Sequence, residues 1–485
     1  MSRRPLLRAL LAGVAVVAFG LSAGAPAQED GGAGLSGSSP AGVPAGELRG
    51  PRPLPSAIVS QGSDIPAAAP AASPLAPAAS PLAPEGLPAA RLAQIQAALQ
   101  AAKLDGWLFF DFRGSDPIAA RLLGLDPQHG THSRGWFCYL PARGTPQKLV
   151  HAIEPHSLDG VPGQTATYAS WRLRDRELGR ILHGQKRVAM QYSPRGDLPT
   201  VAKVDAGTLE LVRSLGPEVV SSADLVAALE SALSAEELAS QARAVELISA
   251  DLDAVAQEAA RRIRENNPAT ERELEEFAAA REAQEGLTGG ALGVQADAHS
   301  ADPHYQPAPT GSAVVGRNSV LLLDFAARPG EGPHSIYGDL TRVYFLGDRV
   351  PDEVARVAAQ VFAARDAAIA LLRDRASFGR PVTGAEVDAA AREVIVKAGF
   401  GEKFLHRTGH NLGIRVHGDG VNNDDFETHD TRRHLPNTCA SIEPGIYLTG
   451  RFGVRSEIDV CLLAGGKVDV RGGALQTSVP ALLAP

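Results

Sequence analysis

The chain has 485 residues, an apolar fraction of 44% and a formal net charge of −8. That length accommodates two or three domains, and the apolar fraction is typical of proteins with buried cores. Because the net charge is negative and the basic residues are spread along the chain, the composition argues against a nucleic-acid-binding surface. Function therefore has to be inferred from local motifs.

The first 27 residues resemble an export signal. Arginines precede an apolar run from Ala9 to Leu21, and residues 25–27 offer a small-residue cleavage site. The run is too short to span a bilayer, so we expect no membrane span in the mature chain. The pair Arg3-Arg4 also resembles a twin-arginine signal, which leaves ordinary secretion and export of the folded protein both open. Either route predicts a periplasmic or secreted protein.

Residues 28–87 are dominated by Ala, Pro, Gly and Ser, which predicts a disordered linker without a core. Order is expected from Pro88, where apolar residues recur at helical spacing before the buried strand WLFFDF. Further short strands then alternate with helical stretches. Residues 88–232 are therefore predicted to form a small α/β domain.

A second unit opens at Ser234, where SAEE is a capping-box-like start to a long helix. Another helix is expected from Thr270, and two more over residues 352–374 and 383–398. The rest alternates strands and turns, and no GxGxxG turn follows a strand. Residues 233–485 are thus predicted to form an α+β layered domain rather than a dinucleotide-binding fold.

Acidic residues interrupt several apolar, strand-like runs of this second unit. These are Asp324 in SVLLLDFAA, Asp339 in YGDLTRVYFLG, Glu443 in CASIEPGIYL and Glu457 in GVRSEIDV. An ionised carboxylate in such a frame is costly unless it is paired or coordinates a metal, and His410 offers a nitrogen ligand. Four carboxylates and one imidazole suit two bridged divalent ions, because shared oxygens neutralise both charges.

Three motifs of the second unit, HRTGHNLGIRVHG, SIEPGIY and GVRSEIDV, resemble those of the pita-bread metallopeptidases, as do Asp324 and GDLTRV ahead of them. The preceding domain makes the resemblance closest to the Xaa-Pro peptidases, and it covers residues 89–465. It implies a pita-bread catalytic domain behind a smaller creatinase-like α/β domain. The implied activity is hydrolysis of the Xaa-Pro bond at peptide N-termini, as in aminopeptidase P, or in Xaa-Pro dipeptides, as in prolidase.

The resemblance also implies a role for each ligand. Asp324 would bind one ion through both oxygens, Asp339 and Glu457 would bridge the two ions, and His410 and Glu443 would complete them. Glu443 would in addition carry a proton from the attacking water to the leaving proline nitrogen. The implied cofactor is a pair of divalent ions. Manganese is favoured, and cobalt, iron or zinc stay open because carboxylates choose weakly among them.

Three further histidines match positions of the family around the substrate. His304, in ADPHYQP, matches a histidine that holds the substrate and stabilises the oxyanion, and His406 and His417 match the two that flank His410. The residues alone leave other interpretations open. His417 is also consistent with a surface residue at a strand end, and His406 with a hydrogen-bonding partner of a ligand.

Two residues near the last ligands are expected to support the site. Arg455 lies two positions from Glu457, so both side chains should point the same way and the guanidinium can neutralise Asp324. Tyr447 either donates a hydrogen bond from the pocket wall or serves in packing.

The connection between the two aspartates, residues 325–338, is longer than the usual family pattern and carries Arg328, Glu331 and His334. Because loops accept insertions where strands do not, we expect an altered rim of the site rather than altered catalysis. The alternative is that His334 serves as a further metal ligand.

Three cysteines are present, which is too few for an exported protein that depends on several disulfides for its stability. If Glu443 and Glu457 face each other across antiparallel strands, their residue numbers sum to 900, and Cys439 and Cys461 share that sum. The two cysteines would then be cross-strand neighbours on one face. That register would allow a disulfide, but two buried thiols are the favoured interpretation.

The leading hypothesis is an exported, dinuclear metallopeptidase that acts on proline-containing peptides and, like its relatives, forms a homodimer. One alternative is a non-catalytic peptide-binding protein on the same fold, although all five ligands are present. The other is a hydrolase of esters or phosphotriesters that uses the same dinuclear site. Metal analysis and product analysis discriminate among these three functions.

Overall fold

The computed structural model describes residues 86–125 and 133–485. The expected signal peptide, residues 1–27, lies outside the described residues, and so does the expected linker apart from Gly86 and Leu87. Within the two described ranges, no helix is both long enough and apolar enough to cross a membrane.

The first domain is built on one six-stranded sheet. Its strands are β1 (Gly106–Asp111), β2 (Trp136–Pro141), β3 (Gln147–His151), β4 (Gln164–Tyr168), β5 (Arg187–Met190) and β6 (Glu218–Ser221). The order is β4-β3-β2-β1-β5-β6. β1, β2 and β3 pair antiparallel, whereas β4, β5 and β6 each join a neighbour in parallel. Parallel pairs need crossover connections, and helices supply them.

Five helices cover both faces of this sheet: α1 (Ala89–Ala101), α2 (Pro117–Leu123), α3 (Trp171–Leu182), α4 (Ala206–Ser214) and α5 (Ala223–Glu230). Trp107 and Phe109 of β1 pack with α1, α2 and α5. Leu108, between them, faces the opposite way and packs with α3 and α4. The predicted strand WLFFDF is therefore confirmed, and its alternating side chains hold the two helical layers together.

The second domain contains four long helices, α6 (Ala235–Arg264), α7 (Glu271–Glu285), α8 (Asp352–Ser377) and α9 (Gly384–Lys397). The capping box predicted at Ser234 is present, because its hydroxyl accepts from the Glu237 N–H while its own N–H donates to the Glu237 carboxylate. The same arrangement starts α7 at Thr270 and α9 at Thr383. Each box satisfies N–H groups that the first helical turn leaves unpaired.

Three antiparallel sheets lie among these helices. The first contains β7 (Leu287–Ala296), β8 (Val320–Pro329) and β9 (Gly338–Phe345). The second contains β10 (Asn411–Leu412), β11 (Thr438–Ile442), β14 (Ile458–Leu463) and β15 (Lys467–Arg471). The third contains β12 (Gly445–Leu448) and β13 (Phe452–Arg455).

The two faces of β8 pack against different helices. Leu321, Leu323 and Phe325 pack with α6 and α7. Leu322 packs with α8 and α9. Asp324 is two positions from Leu322 in β8, so its side chain lies on the same face as Leu322 and points away from α6 and α7. The predicted α+β class, with an N-terminal and a catalytic domain, is confirmed.

The register of β11 and β14 corrects the cysteine interpretation. Ile442 lies opposite Ile458 and Cys439 opposite Cys461, which is the register with residue numbers that sum to 900. The two cysteines form a disulfide with Cα atoms 4.1 Å apart. The favoured interpretation of two buried thiols is therefore wrong, because directly opposed cysteines on adjacent strands lie within bonding distance. Cys138 is a buried free thiol.

Candidate metal centre

Asp339, His410 and Glu457 form the tightest group of predicted ligands, with one donor atom from each within 4.8 Å of the others. All three are buried. Asp339 lies on β9, Glu457 directly precedes β14 and His410 directly precedes β10. β10 and β14 both pair with β11, and the Glu457 N–H donates to the Thr341 carbonyl of β9 at 3.1 Å. Backbone pairing therefore brings the three ligands together.

Glu443 extends this group on the side of the imidazole. His410 Nε2 lies 3.4 Å from Glu443 Oε1 and 3.5 Å from Asp339 Oδ2. The Ser441 hydroxyl lies 3.2 Å from Glu443 Oε1 and donates to it. The Nε2 edge of His410 therefore faces two carboxylates, as a metal-binding imidazole does.

Asp324 joins the group through Thr341 and Arg455. Thr341 Oγ1 lies 2.8 Å from Asp324 Oδ1 and 2.7 Å from Glu457 Oε2, and it accepts from Arg455 Nε at 2.9 Å. Arg455 Nη2 is also ion-paired with Asp324 Oδ2. A hydroxyl has one hydrogen, so Thr341 donates to one carboxylate at a time. Sequence analysis missed Thr341, although its parity with Asp339 in YGDLTRV puts both side chains on one face.

Burial and mutual repulsion govern the charge of these carboxyls. Burial raises the pKa of Asp339, and the charges of Asp324 and Glu443 raise it further. Burial also raises the pKa of Glu457, with a further rise from Asp339 and Glu443. Burial would raise the pKa of Glu443 as well, but the neighbouring histidines and arginines outweigh it and hold that pKa below its usual value. The lowered pKa favours the ionised form of Glu443, whereas Asp339 and Glu457 need a positive partner to ionise.

One oxygen shows that this donor set fits a cation. Glu457 Oε1 is buried and has no hydrogen-bond partner in the described part of the chain, while Oε2 is held by Thr341. A buried, unpaired carboxylate oxygen is costly, and coordination of a metal ion would satisfy it. Carboxylate oxygens together with the His410 imidazole suit divalent metals. The residues present therefore fit a divalent metal ion.

His406 is engaged at both ring nitrogens. Nδ1 lies 2.7 Å from the Arg407 carbonyl and Nε2 lies 2.7 Å from the Tyr447 hydroxyl. A carbonyl only accepts, so Nδ1 carries the hydrogen and Nε2 of the neutral ring accepts from Tyr447. Burial lowers the pKa of His406, which favours that neutral form. The geometry therefore favours His406 as a hydrogen-bonding residue beside the ligands, and the Tyr447 hydroxyl is its donor.

His417 and His304 lie on the solvent side of the group. The His417 ring packs edge-on against His410 with centroids 4.3 Å apart. Burial lowers the pKa of His417 to about 4, and the charges of His410 and Arg407 lower it further. His304 is exposed, and its charge also contributes to the lowered pKa of His417. His417 and His304 are both exposed and lie near each other, on the side of the group that we call the entrance.

A buried aspartate holds the segment that leads to His410. Asp388 of α9 accepts from the Thr408 N–H at 2.9 Å and from the Thr408 hydroxyl at 2.7 Å. Both oxygens of Asp388 also accept from Arg392. Sequence analysis did not single out Asp388. Its position on the buried face of an amphipathic helix is the signal that points to it.

A buried glutamate holds the segment that carries His304. Glu271, in the first turn of α7, accepts from His299 Nδ1 at 2.9 Å and from the Tyr305 hydroxyl at 2.7 Å. The His299 and Tyr305 rings are stacked with centroids 4.0 Å apart. The sequence does not single out Glu271, because local patterns do not show its partners in a distant loop.

The long connection between the two aspartates is partly strand. β8 continues to Pro329 and β9 starts at Gly338, so the turn is confined to residues 330–337. His334 Nδ1 lies 3.5 Å from Glu237 Oε1 at the start of α6. His334 is not part of the group formed by Asp339, His410 and Glu457. The structure therefore does not support it as a further ligand.

Comparison with known sequences identifies the second domain. Residues 243–463 match the profile of metallopeptidase family M24. The probable dipeptidase PepE of Mycobacterium tuberculosis is 36% identical over 175 residues, which are 36% of this chain and 41% of that protein. An Xaa-Pro dipeptidase of Lactobacillus delbrueckii subsp. lactis is 34% identical over 167 residues, which are 34% of this chain and 40% of that protein. The matched segments span about two fifths of the length of these curated relatives.

Comparison with solved structures extends the similarity to both domains. Dipeptidase PepE from Mycobacterium ulcerans matches with a TM-score of 0.59 and 26% identity, over 81% of this chain and 97% of that chain. An X-Pro aminopeptidase from Thermotoga maritima shares the fold with a TM-score of 0.51 and 21% identity, over 80% of this chain and 99% of that chain. The profile match includes all five predicted ligands. The resemblance inferred from the motifs is confirmed, and residues 243–463 of the second domain match metallopeptidase family M24.

Proposed function

We propose that the protein is a peptidase that uses two divalent metal ions to hydrolyse the Xaa-Pro bond, at the N-terminus of peptides or in Xaa-Pro dipeptides. One observation carries this proposal. Asp339, His410 and Glu457 converge in a buried group beside the ionised Glu443, and Glu457 Oε1 has no partner among the described residues. The relatives named as dipeptidases support the same class of reaction.

The residues around the group suit this hydrolysis. When bound, divalent ions supply Lewis acidity toward a water molecule and the scissile carbonyl. Glu443 is ionised and lies at the edge of the group, so it can accept the proton of the water and transfer it to the leaving nitrogen. His304 and His417 lie on the exposed side of the group, where the His304 ring N–H can donate to the carbonyl oxygen as it gains negative charge and His417 can hold the substrate.

Two ions are proposed because the donors exceed the needs of one. Asp339, His410 and Glu457 form the tightest group, and Asp324 and Glu443 lie on either side of it. Manganese is the proposed metal, since the set is rich in carboxylate oxygens, and cobalt, iron and zinc are the alternatives. Loading the metal-depleted protein with one metal at a time and counting bound ions by mass spectrometry tests this. Two ions per chain are expected, and a single ion at saturation would contradict the dinuclear proposal.

The central experiment is Glu443→Gln. Turnover on Xaa-Pro substrates should fall by about 10³-fold, since a general acid–base group is lost, while metal stays bound at Asp339, His410 and Glu457. The matched control is Glu393→Gln, which removes an exposed charge paired with Lys397 on α9 and should leave turnover unchanged. Wild-type turnover in the Glu443 variant would make the proton-transfer assignment wrong.

Product analysis separates the substrate classes. Xaa-Pro dipeptides and longer Xaa-Pro peptides are offered to the metal-loaded protein, together with esters and phosphotriesters. Cleavage of the dipeptides alone indicates a dipeptidase, and cleavage of the longer peptides an aminopeptidase. Peptide binding without cleavage would favour the non-catalytic alternative, and cleavage of esters alone would favour the other hydrolase.

We also propose that the protein is exported to the periplasm or secreted. The basic and apolar pattern of residues 1–27 supports this, and a structural disulfide is compatible with an oxidising compartment. N-terminal sequencing of the mature protein from each cell fraction tests the proposal. A start at Gln28 outside the cytoplasm is expected, and a cytoplasmic chain that retains residues 1–27 would contradict it.

A homodimer is the proposed assembly, supported by the resemblance to dimeric relatives. Light scattering coupled to size-exclusion chromatography tests it. A mass of twice that of the chain is expected, and a monomer at micromolar concentration would contradict the proposal.

A further inference from the structure

One guanidinium links the two domains beside the metal centre. Arg121, on α2 of the first domain, lies 2.7 Å from Glu230 Oε2 at the end of α5. Its Nη2 is also ion-paired with Asp419 Oδ2, which lies 298 positions further along the chain. The Glu230 and Asp419 side chains are 7% and 8% exposed. Arg121 therefore joins a helix end of the first domain to a loop of the second.

That loop leads directly from the metal centre. It connects β10 to β11, over residues 413–437, and carries His417 two positions before Asp419. Asn411 holds its first part, because the Asn411 carbonyl accepts from the Gly418 N–H at 2.8 Å and its Oδ1 accepts from the Gly420 N–H at 3.0 Å. His417 is thus followed by a segment held from both sides, by Asn411 of the same domain and by Arg121 of the other.

Close packing accompanies the ion pair. A Cβ atom at Gly420 would lie 2.6 Å from the Ser231 Cβ, at the junction between the domains. The His429 N–H of the same loop donates to the Asp197 carbonyl of the first domain at 3.1 Å. A cavity of about 20 Å³ lies beside Arg121 and Asp419, with room for about one water molecule. The 413–437 loop is therefore the surface on which the first domain packs near the metal centre.

The charges around Arg121 make its contribution separable from folding. Asp419 is also paired with Arg415, and the charge of Arg91 acts on Glu230. When Arg121 is replaced, Asp419 therefore keeps an ion pair and Glu230 keeps the attraction of the Arg91 charge. Both carboxylates retain a favourable charge nearby, which limits the loss of stability that an uncompensated buried charge would cause.

We propose that Arg121 is a positioning residue. Through Asp419 it holds the 413–437 loop in the conformation that places His417 at the entrance of the metal centre. The first domain thereby contributes to substrate binding without contact between Arg121 and the substrate. The kinetic part of this inference rests on the proposed function, whereas the effect on the loop does not.

Hydrogen exchange of the metal-loaded protein, read by mass spectrometry, tests the effect on the loop. In Arg121→Met, peptides that cover residues 413–423 should exchange about tenfold faster, because the loop opens locally more often. Asp419→Asn should also speed exchange of these peptides, and the effects of the two substitutions should be less than additive in the double variant, since both remove the Arg121–Asp419 pair. The matched control is Arg317→Met, which removes an exposed arginine paired with Asp348 and should change nothing in this loop.

Kinetics then test what the loop does. Arg121→Met should raise KM for an Xaa-Pro substrate about tenfold with kcat within about twofold and an unchanged metal content, because a binding contact is misplaced. Arg121→Lys should restore part of the loss, since it keeps the charge but not the fork geometry. If Arg121→Met does not fold, Arg121→Lys carries the same comparison with a smaller expected change.

The outcomes are distinguishable. Unchanged exchange of residues 413–423 in the folded Arg121 variant would overturn the positioning proposal, whatever the kinetics show. Faster exchange with an unchanged KM would also overturn it, because the loop would then not affect substrate binding. A wild-type protein that cleaves no Xaa-Pro substrate would remove the proposed function, and the exchange experiment would still decide whether Arg121 holds the loop.

Discussion

The carboxylate side and the histidine side of the metal centre are held in place by different means. Asp324 and Asp339 lie on regular antiparallel strands, and Glu457 directly precedes another, so backbone ladders set their positions. His304, His406 and His417 lie outside the named strands, on segments held by buried polar side chains.

This difference shows how one site divides its tasks. A strand register either forms or does not, so the carboxylates are placed to within a fraction of a residue step. Segments held by a few side-chain hydrogen bonds open locally at lower free energy. The structure therefore combines a rigid set of metal ligands with entrance residues whose order depends on particular buried groups, such as Asp388, Glu271 and Arg121.

The largest effect is expected on the carboxylate side. Asp339→Asn removes a central ligand charge while the strand register stays intact, so metal binding and turnover should both fall, turnover by about 10³-fold. Metal content and kinetics of the purified variant measure this. Asp348→Asn, an exposed aspartate paired with Arg317, is the control and should match the wild type. If the Asp339→Asn variant kept its full metal content, Asp339 would not be a required ligand and the metal would bind elsewhere.

The next effect concerns the bond between the strands that deliver the two glutamates. Reduction of the Cys439–Cys461 disulfide should lower the free energy of unfolding by about 3 kcal/mol, because it frees a closed loop of the unfolded chain. Denaturant unfolding with and without reductant measures this. Thiol titration after unfolding is the control, and one free thiol, Cys138, is expected without reductant. Three free thiols in that sample would show that the disulfide is not formed.

A smaller loss is expected when a side-chain anchor of the histidine side is removed. Asp388→Asn weakens the bonds to Thr408 and Arg392 and should cost about 2 kcal/mol of stability. Peptides that include residues 405–410 should also exchange faster, because Thr408 loses its charged acceptor. Unfolding and hydrogen exchange test both. Equal exchange in variant and wild type would mean that this segment is held mainly by its backbone.

The smallest effect is expected when the Thr341 hydroxyl, which is shared by Asp324 and Glu457, is removed. Thr341→Val keeps the shape but removes the donor between Asp324 and Glu457, so metal affinity should fall about tenfold. Thr341→Ser keeps the hydroxyl and is the matched control. Calorimetric metal titration compares the two. Equal affinity in both variants would assign the placement of these carboxylates to the strands alone.

The same division explains what the sequence predicts. Acidic residues within apolar, strand-like runs point to the candidate ligands. If the two glutamates face each other, the sum of their residue numbers also gives the register of β11 and β14. The cysteine interpretation was wrong because buried thiols and a disulfide leave the same pattern. The register decides between them only when both strands are known to pair.

The anchors of the loops could not be found in this way. Asp388 and Thr408 are 20 positions apart, and Arg121 and Asp419 are 298 apart. They are ordinary charged and polar residues whose partners are set by tertiary packing, and no local period relates them. His406 illustrates the same limit, because its role depends on the Tyr447 hydroxyl, which the sequence left as either a donor or a packing residue.

The disulfide is a covalent bond that forms between β11 and β14 in their observed register. A slip of one residue between β11 and β14 would move Glu443 away from Glu457 and would also place Cys439 on the face opposite to Cys461, so that no bond could form. A folded chain that carries this disulfide is therefore restricted to the register in which both glutamates are correctly placed, before any metal or substrate is added.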